Sequence, residues 1–128
     1  MSGNKVLLDT NIALYLFKGD QELANALQDA EAYVSFINEL ELFGHKDITA
    51  EEITWIELFL EECSIMEINQ GIKDITINLR QKYSLKLPDA IVAATAIFLG
   101  ISLISADKHF DKISELSLIL YQLPDGPN

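Results

Sequence analysis

The chain has 128 residues, 49% of them hydrophobic, and a net charge of −11 from 20 acids against 9 bases. That length suits one domain with a sizeable core, and that composition excludes a disordered chain. The acidity, with Arg80 the only arginine, excludes a broad basic surface for capturing nucleic acid, and no apolar run is long enough to span a bilayer.

Residues 1–3 read as a polar leader or tag remnant and 124–128 as a turn-like tail, so that 1–128 forms a single domain. The N-terminus lacks the basic stretch and long apolar run of a secretory signal. Cys63 stands alone, which leaves no disulfide framework or thiolate zinc site and makes a reduced, cytoplasmic setting the expectation.

Val6-Leu7-Leu8 is an apolar run that ends abruptly at Asp9-Thr10-Asn11. It reads as a strand buried on both faces, leaving the sheet for a helix over Ile12–Phe17. Asp20 to Asp29 reads as an amphipathic helix with an N-cap start. Ala32 to Val34 is a short strand, and Ser35 caps a helix carrying Phe36, Ile37, Leu40, Leu42 and Phe43 up to a stop at Gly44. Thr49-Ala50-Glu51-Glu52 matches the capping-box pattern and opens a helix to about Glu62, with Ile53, Ile56, Leu60 and Cys63 inward. Trp55 and Phe59 lie one turn apart beside that stripe and read as packing residues.

Ser64 to Ile68 is a further strand, and Asn69 caps a helix to about Lys82 with Ile72, Ile75, Ile77 and Leu79 as its apolar positions. Leu87-Pro88-Asp89 starts a nearly all-apolar helix, with Pro88 in its first turn and Asp89 beside the positive end of the helix dipole. Gly100 ends it. Ile101 to Ser105 is a second buried strand, with Asp107 just beyond it, and Leu118 to Leu123 is the last. Strands alternating with helices predict an α/β fold around a parallel sheet with right-handed crossovers.

Three acids have special placements. Asp9 and Asp107 each follow an apolar strand, and Asp89 opens the buried helix leading to the second. Each alone reads as an ordinary turn or first-turn residue. Together they point to the carboxyl edge of the sheet, where open α/β folds bind ligands. Carboxylates gathered there need a cation, and oxygen ligands without thiols or clustered histidines suit Mg²⁺ or Mn²⁺. Glu39 and Glu41 point about 200° apart on their helix, and its apolar neighbours make Glu41 the acid facing that edge.

The set Leu8-Asp9-Thr10-Asn11, Ser35-x-Ile37 leading to Glu41-Leu42, Leu87-Pro88-Asp89-Ala90 through Ala96, and Leu103-Ile104-Ser105-Ala106-Asp107 with Phe110 resembles the PIN-domain family. Within it, the chain is similar to the VapC-type toxin ribonucleases of toxin–antitoxin pairs. The resemblance implies a three-layer α/β/α fold on a five-stranded parallel sheet. It also implies catalytic, metal-holding acids at Asp9, Glu41, Asp89 and Asp107, and a metal-dependent endoribonuclease using Mg²⁺ or Mn²⁺. The implied partners are an RNA substrate, a cognate antitoxin and a second copy in a homodimer, with no membrane. Asn11 and Ser105 are expected to support the carboxylates by hydrogen bonds. Where many members carry a further acid this chain has His109, readable as a substrate contact or as a solvated helix-start residue.

Lys18, Lys82, Lys86, Lys108 and Lys112 read either as an RNA path or as scattered surface charge. An aspartyl-phosphate phosphatase would want a second acid where Asn11 stands. A receiver domain would want a lysine where Asp107 stands. The remaining alternative is a PIN-fold binding or scaffold module without nuclease activity.

Overall fold

The computed structural model describes residues 4–122; the predicted leader, the predicted tail and the end of the last predicted strand at Leu123 lie outside them. The first half of the chain runs β1 (Lys5–Leu8), α1 (Thr10–Phe17), α2 (Gln21–Ala26), β2 (Glu31–Ser35), α3 (Phe36–Phe43), α4 (Ala50–Glu61) and β3 (Ser64–Met66). The second half runs α5 (Gln70–Lys82), α6 (Leu87–Leu99), β4 (Ser102–Ser105), a 3-10 turn (Lys108–Lys112) and β5 (Leu118–Leu120). The predicted strands and α-helices all form, most of them a residue or two off the predicted bounds, and only the 3-10 turn is additional.

All pairings are parallel, in the order β3-β2-β1-β4-β5. β1 is the middle strand, and its short apolar run is buried on both faces. Leu7 packs with Leu103 and the α5–α6 layer, while Val6 and Leu8 pack with Ile104, Ile12, Leu23, Leu42 and Ile56 on the other side. This alternation makes the three layers. The chain fills one flank with β2 and β3, then crosses β1 to lay down β4 and β5. The strand order therefore reverses between β1 and β4, where a crevice opens at the carboxyl edge. Asp9 and Asp107 follow those two neighbouring strands.

Local sequence sets the helix ends. Asp9, Asp20, Ser35, Thr49 and Asn69 each accept a backbone N–H as N-caps, and Ser35 and Thr49 complete capping boxes with Asn38 and Glu52. In α6 every residue from Ala90 to Ala96 is buried, and its four alanines let the helix lie close against the sheet and α5. Gly100 ends α6 at φ +69°, and nothing lies within 4 Å of where its Cβ would be. Gly100→Ala is therefore expected to cost about 1 kcal/mol from the left-handed backbone alone, read as a lowered urea midpoint with unchanged m-value.

Ile53, predicted inward, faces solvent instead, as do two of the apolar helix positions, Ile77 and Leu40. Ile77 is 56% exposed, because α5 presents Ile72, Thr76 and Leu79 to the core at helical spacing; the Thr76 hydroxyl is satisfied by Ile72 O at 2.8 Å. Ile53 is exposed in the first turn of α4, with no earlier turn to pack beside. Leu40 is exposed because α3 turns Leu42 and Asn38 inward. Trp55 and Phe59 are half-buried and stack at 5.0 Å, with Phe17 edge-on to Trp55 at 5.4 Å, as expected of packing residues. Cys63 is half-buried, and burial beside Glu62 pushes its thiol up to about 11, so it stays an unreactive thiol at neutral pH.

Candidate active site

β1 delivers Asp9 to the carboxyl edge as the N-cap of α1, and four donors converge on its carboxylate. Oδ1 accepts from Thr10 N at 2.9 Å and from Asn38 Nδ2 at 3.4 Å; Oδ2 accepts from Ser105 Oγ at 2.7 Å and Asn11 Nδ2 at 3.4 Å. Asn11 and Ser105 do more than hold Asp9. Asn11 Oδ1 accepts from Ala106 N at 3.2 Å and Ser105 Oγ accepts from Asp107 N at 3.0 Å, so both tie the exit of β1 to the exit of β4.

Asn38 is fully buried, and sequence reasoning missed it. Its Oδ1 accepts from Ser35 N at 3.1 Å, and its Nδ2 donates to Thr10 Oγ1 at 3.0 Å as well as to Asp9. Thr10 Oγ1 in turn donates to Glu41 Oε1 at 2.7 Å. A chain of hydrogen bonds thus runs from Asp9 through Asn38 and Thr10 to Glu41. The available signal was spacing: Asn38 is one helical turn before Glu41 and shares its face.

Asp9, Glu41 and Asp89 line one cleft of about 550 Å³ with Thr10, Asn11, Leu14, Leu40 and His45. Glu39 is not among its lining residues. Asp107 is not in that lining either; it stands beside it, linked through Ser105 and within electrostatic reach of Asp89. A larger groove of about 690 Å³ at the opposite edge, between the start of β1 and the end of α6, is lined without an acid.

The carboxylates feel one another. Burial raises Asp9 above the usual range despite its hydrogen bonds from Ser105 and Thr10, and the charges of Glu41 and Asp89 raise it further. Asp89 is raised by burial and by Asp107 and Glu41, with His109 and Lys86 opposing. Burial acts to raise Asp107 too, but the His109 backbone and imidazole donors, with the charges of His109 and Lys86, outweigh it and hold the group low. A raised acid binds its proton more tightly folded than unfolded, so it disfavours the fold above its folded pKa and ceases to do so as that pKa is passed downward. The metal-free protein is expected to gain stability from Asp9 and Asp89 as pH falls from neutral toward about 4, the ordinary aspartate value. Asp107 gives the opposite slope only below that value. Urea midpoints across the window, compared with Asp9→Asn, check this: the variant should show a smaller gain.

Among the described residues no three His, Cys, Asp or Glu side chains form a ready-made metal cage. The donor chemistry nevertheless fits a hard cation. The donors are carboxylates, two of them pushed up by burial and by their neighbours' charge, and Mg²⁺ keeps several waters while taking only one or two carboxylates directly. Of the five lysines near the motifs, Lys82 pairs with Glu115 at 2.5 Å and Lys112 donates to Ser84 O at 2.6 Å, whereas Lys86 lies within electrostatic reach of Asp89 and Asp107. His109 is exposed near the start of the 3-10 turn, as expected of a solvated helix-start residue, and its imidazole engages Asp107.

A parallel sheet with this order and acids at its switch point defines a class, and the comparisons agree: residues 6–116 match the PIN domain model, and the chain belongs to the PIN-domain family. It is similar to a chain of a toxin–antitoxin complex from Klebsiella pneumoniae, at 33% identity over 91% of this chain and 98% of that one, with a TM-score of 0.77. VapBC-1 from nontypeable Haemophilus influenzae is 27% identical over 91% and 97%, at a TM-score of 0.75. VapBC2 from Rickettsia felis, solved bound to a DNA fragment from its promoter, shares the fold at 21% identity over 92% and 99%, with a TM-score of 0.83. No curated protein sequence matches the chain.

Proposed function

We propose that the chain is a VapC-type toxin, a metal-dependent endoribonuclease that hydrolyses RNA phosphodiester bonds. One observation carries the reading: Asp9, Glu41 and Asp89 share a cleft at the carboxyl edge, with Asp107 tied to Asp9 through Ser105. A scaffold module has no use for acids held where burial and mutual repulsion oppose their ionisation.

Asp9, Asp89 and Asp107 would hold Mg²⁺ or Mn²⁺, with Glu41 a ligand directly or through water. When bound, the cation lowers the pKa of an attacking water and neutralises charge on the phosphate. The protein's own part is preorganisation. Ser105, Asn11, Thr10 N and Asn38 fix both oxygens of Asp9, and Thr10 fixes Glu41, so little rearrangement is needed when substrate arrives. Lys86 supplies positive charge beside Asp89 and Asp107 for the RNA backbone. The kinship with toxin–antitoxin structures supports a cognate antitoxin as partner, and the reading adds a homodimer as assembly and the cytoplasm as setting; among the described residues no helix is long and apolar enough to cross a membrane.

Inducible expression in a bacterial host tests the toxin reading. Growth should arrest with the native chain and recover with Asp9→Asn at equal protein level. Equal growth with both chains would count against a toxin.

A further inference from the structure

Asp107 is held on one side only. Its Oδ1 accepts the backbone N–H of His109 at 2.9 Å and the His109 imidazole Nδ1 at 2.5 Å, while among the described residues no donor meets Oδ2. Because a carboxylate oxygen only accepts, Nδ1 must carry the proton, and Nε2 points away from this bond. The backbone bond alone would cap the 3-10 turn. The imidazole is therefore additional to what the fold requires, and the His109 side chain is 74% exposed, so no packing holds it there.

We propose that His109 is a positioning residue for the cation site: its Nδ1–H fixes Asp107 Oδ1 and leaves Oδ2 as the oxygen offered to a divalent cation. This rests on the reading of the acids as a metal-dependent site. Outer-shell donors of this kind orient a ligating carboxylate before the metal arrives.

Two substitutions separate the ring's nitrogens. Asn places an amide N–H near the position of Nδ1, and Gln places one near Nε2. Calorimetric titration with MnCl₂ is expected to give His109→Asn an affinity within about threefold of the native chain, and His109→Gln and His109→Ala a loss of about tenfold or more. The metal-free melting temperatures of all three should match the native protein, because the backbone cap survives; rescue by Asn but not Gln is what a merely structural role would not produce. Native-like Mn²⁺ affinity in all three variants would overturn the proposal while leaving the site reading intact, as would rescue by Gln alone. A native chain that binds no Mn²⁺ would overturn both.

Discussion

Asp9→Asn is expected to leave a folded protein whose RNA cleavage falls by about 10²–10³-fold, the scale set by removing one preorganised electrostatic group from a site. Asp9 is the convergence point: it caps α1, takes donors from β1's own exit, from α3 and from β4, and shares its cleft with Glu41 and Asp89. An amide in its place keeps the volume and one acceptor oxygen, so the fold should survive, and circular dichroism should be unchanged. It removes the charge that a cation would meet. The native chain should therefore be stabilised by Mn²⁺, by about 1.4 kcal/mol at a concentration ten times Kd, and the variant should not. A variant with native cleavage would remove Asp9 from the site.

Phe110→Ala has the largest expected effect on stability, about 3–5 kcal/mol, or roughly 10–20 °C in melting temperature for a domain of this size. Phe110 is 1% exposed and packs in the cluster that holds Leu7, Leu103 and the inner face of α6. Truncation leaves a cavity under the middle of the sheet. It also loosens the 3-10 turn that Asp107 caps, so Mn²⁺ affinity should fall even at temperatures where the variant remains folded. Phe110→Leu, which keeps most of the volume, should recover the greater part of both losses. Equal stability of the Ala variant and the native chain would mean that the turn is not anchored by this ring.

The contrast between these residues and the missed ones shows what a sequence reveals. Asp9, Asp89 and Asp107 were legible because each interrupts an apolar run at an element boundary, and boundaries of parallel strands share an edge. β1 itself was legible because both its faces are apolar. Glu41 rested on helical spacing, which placed it in the cleft and left Glu39 out of it. Asn38 was not legible as a site residue: its partners Asp9 and Thr10 lie 29 and 28 positions away, and only the pairing of β1 with β2 brings them together. Ile53, read as part of the inward stripe of α4, is exposed, and the apolar Leu40 and Ile77 are exposed too, because helix phase and position along the helix, and not apolar character, decide burial. The His109–Asp107 contact depends on a 3-10 turn, whose short run carries no periodic signal.

Cleavage of a mixed RNA panel by the purified protein, in Mn²⁺, Mg²⁺ and EDTA, tests the central claim most directly. Cleavage with Mn²⁺ or Mg²⁺ that vanishes in EDTA and in Asp9→Asn is the expected result. Cleavage that persists in EDTA, or a native chain that neither cleaves RNA nor binds Mn²⁺, would contradict it.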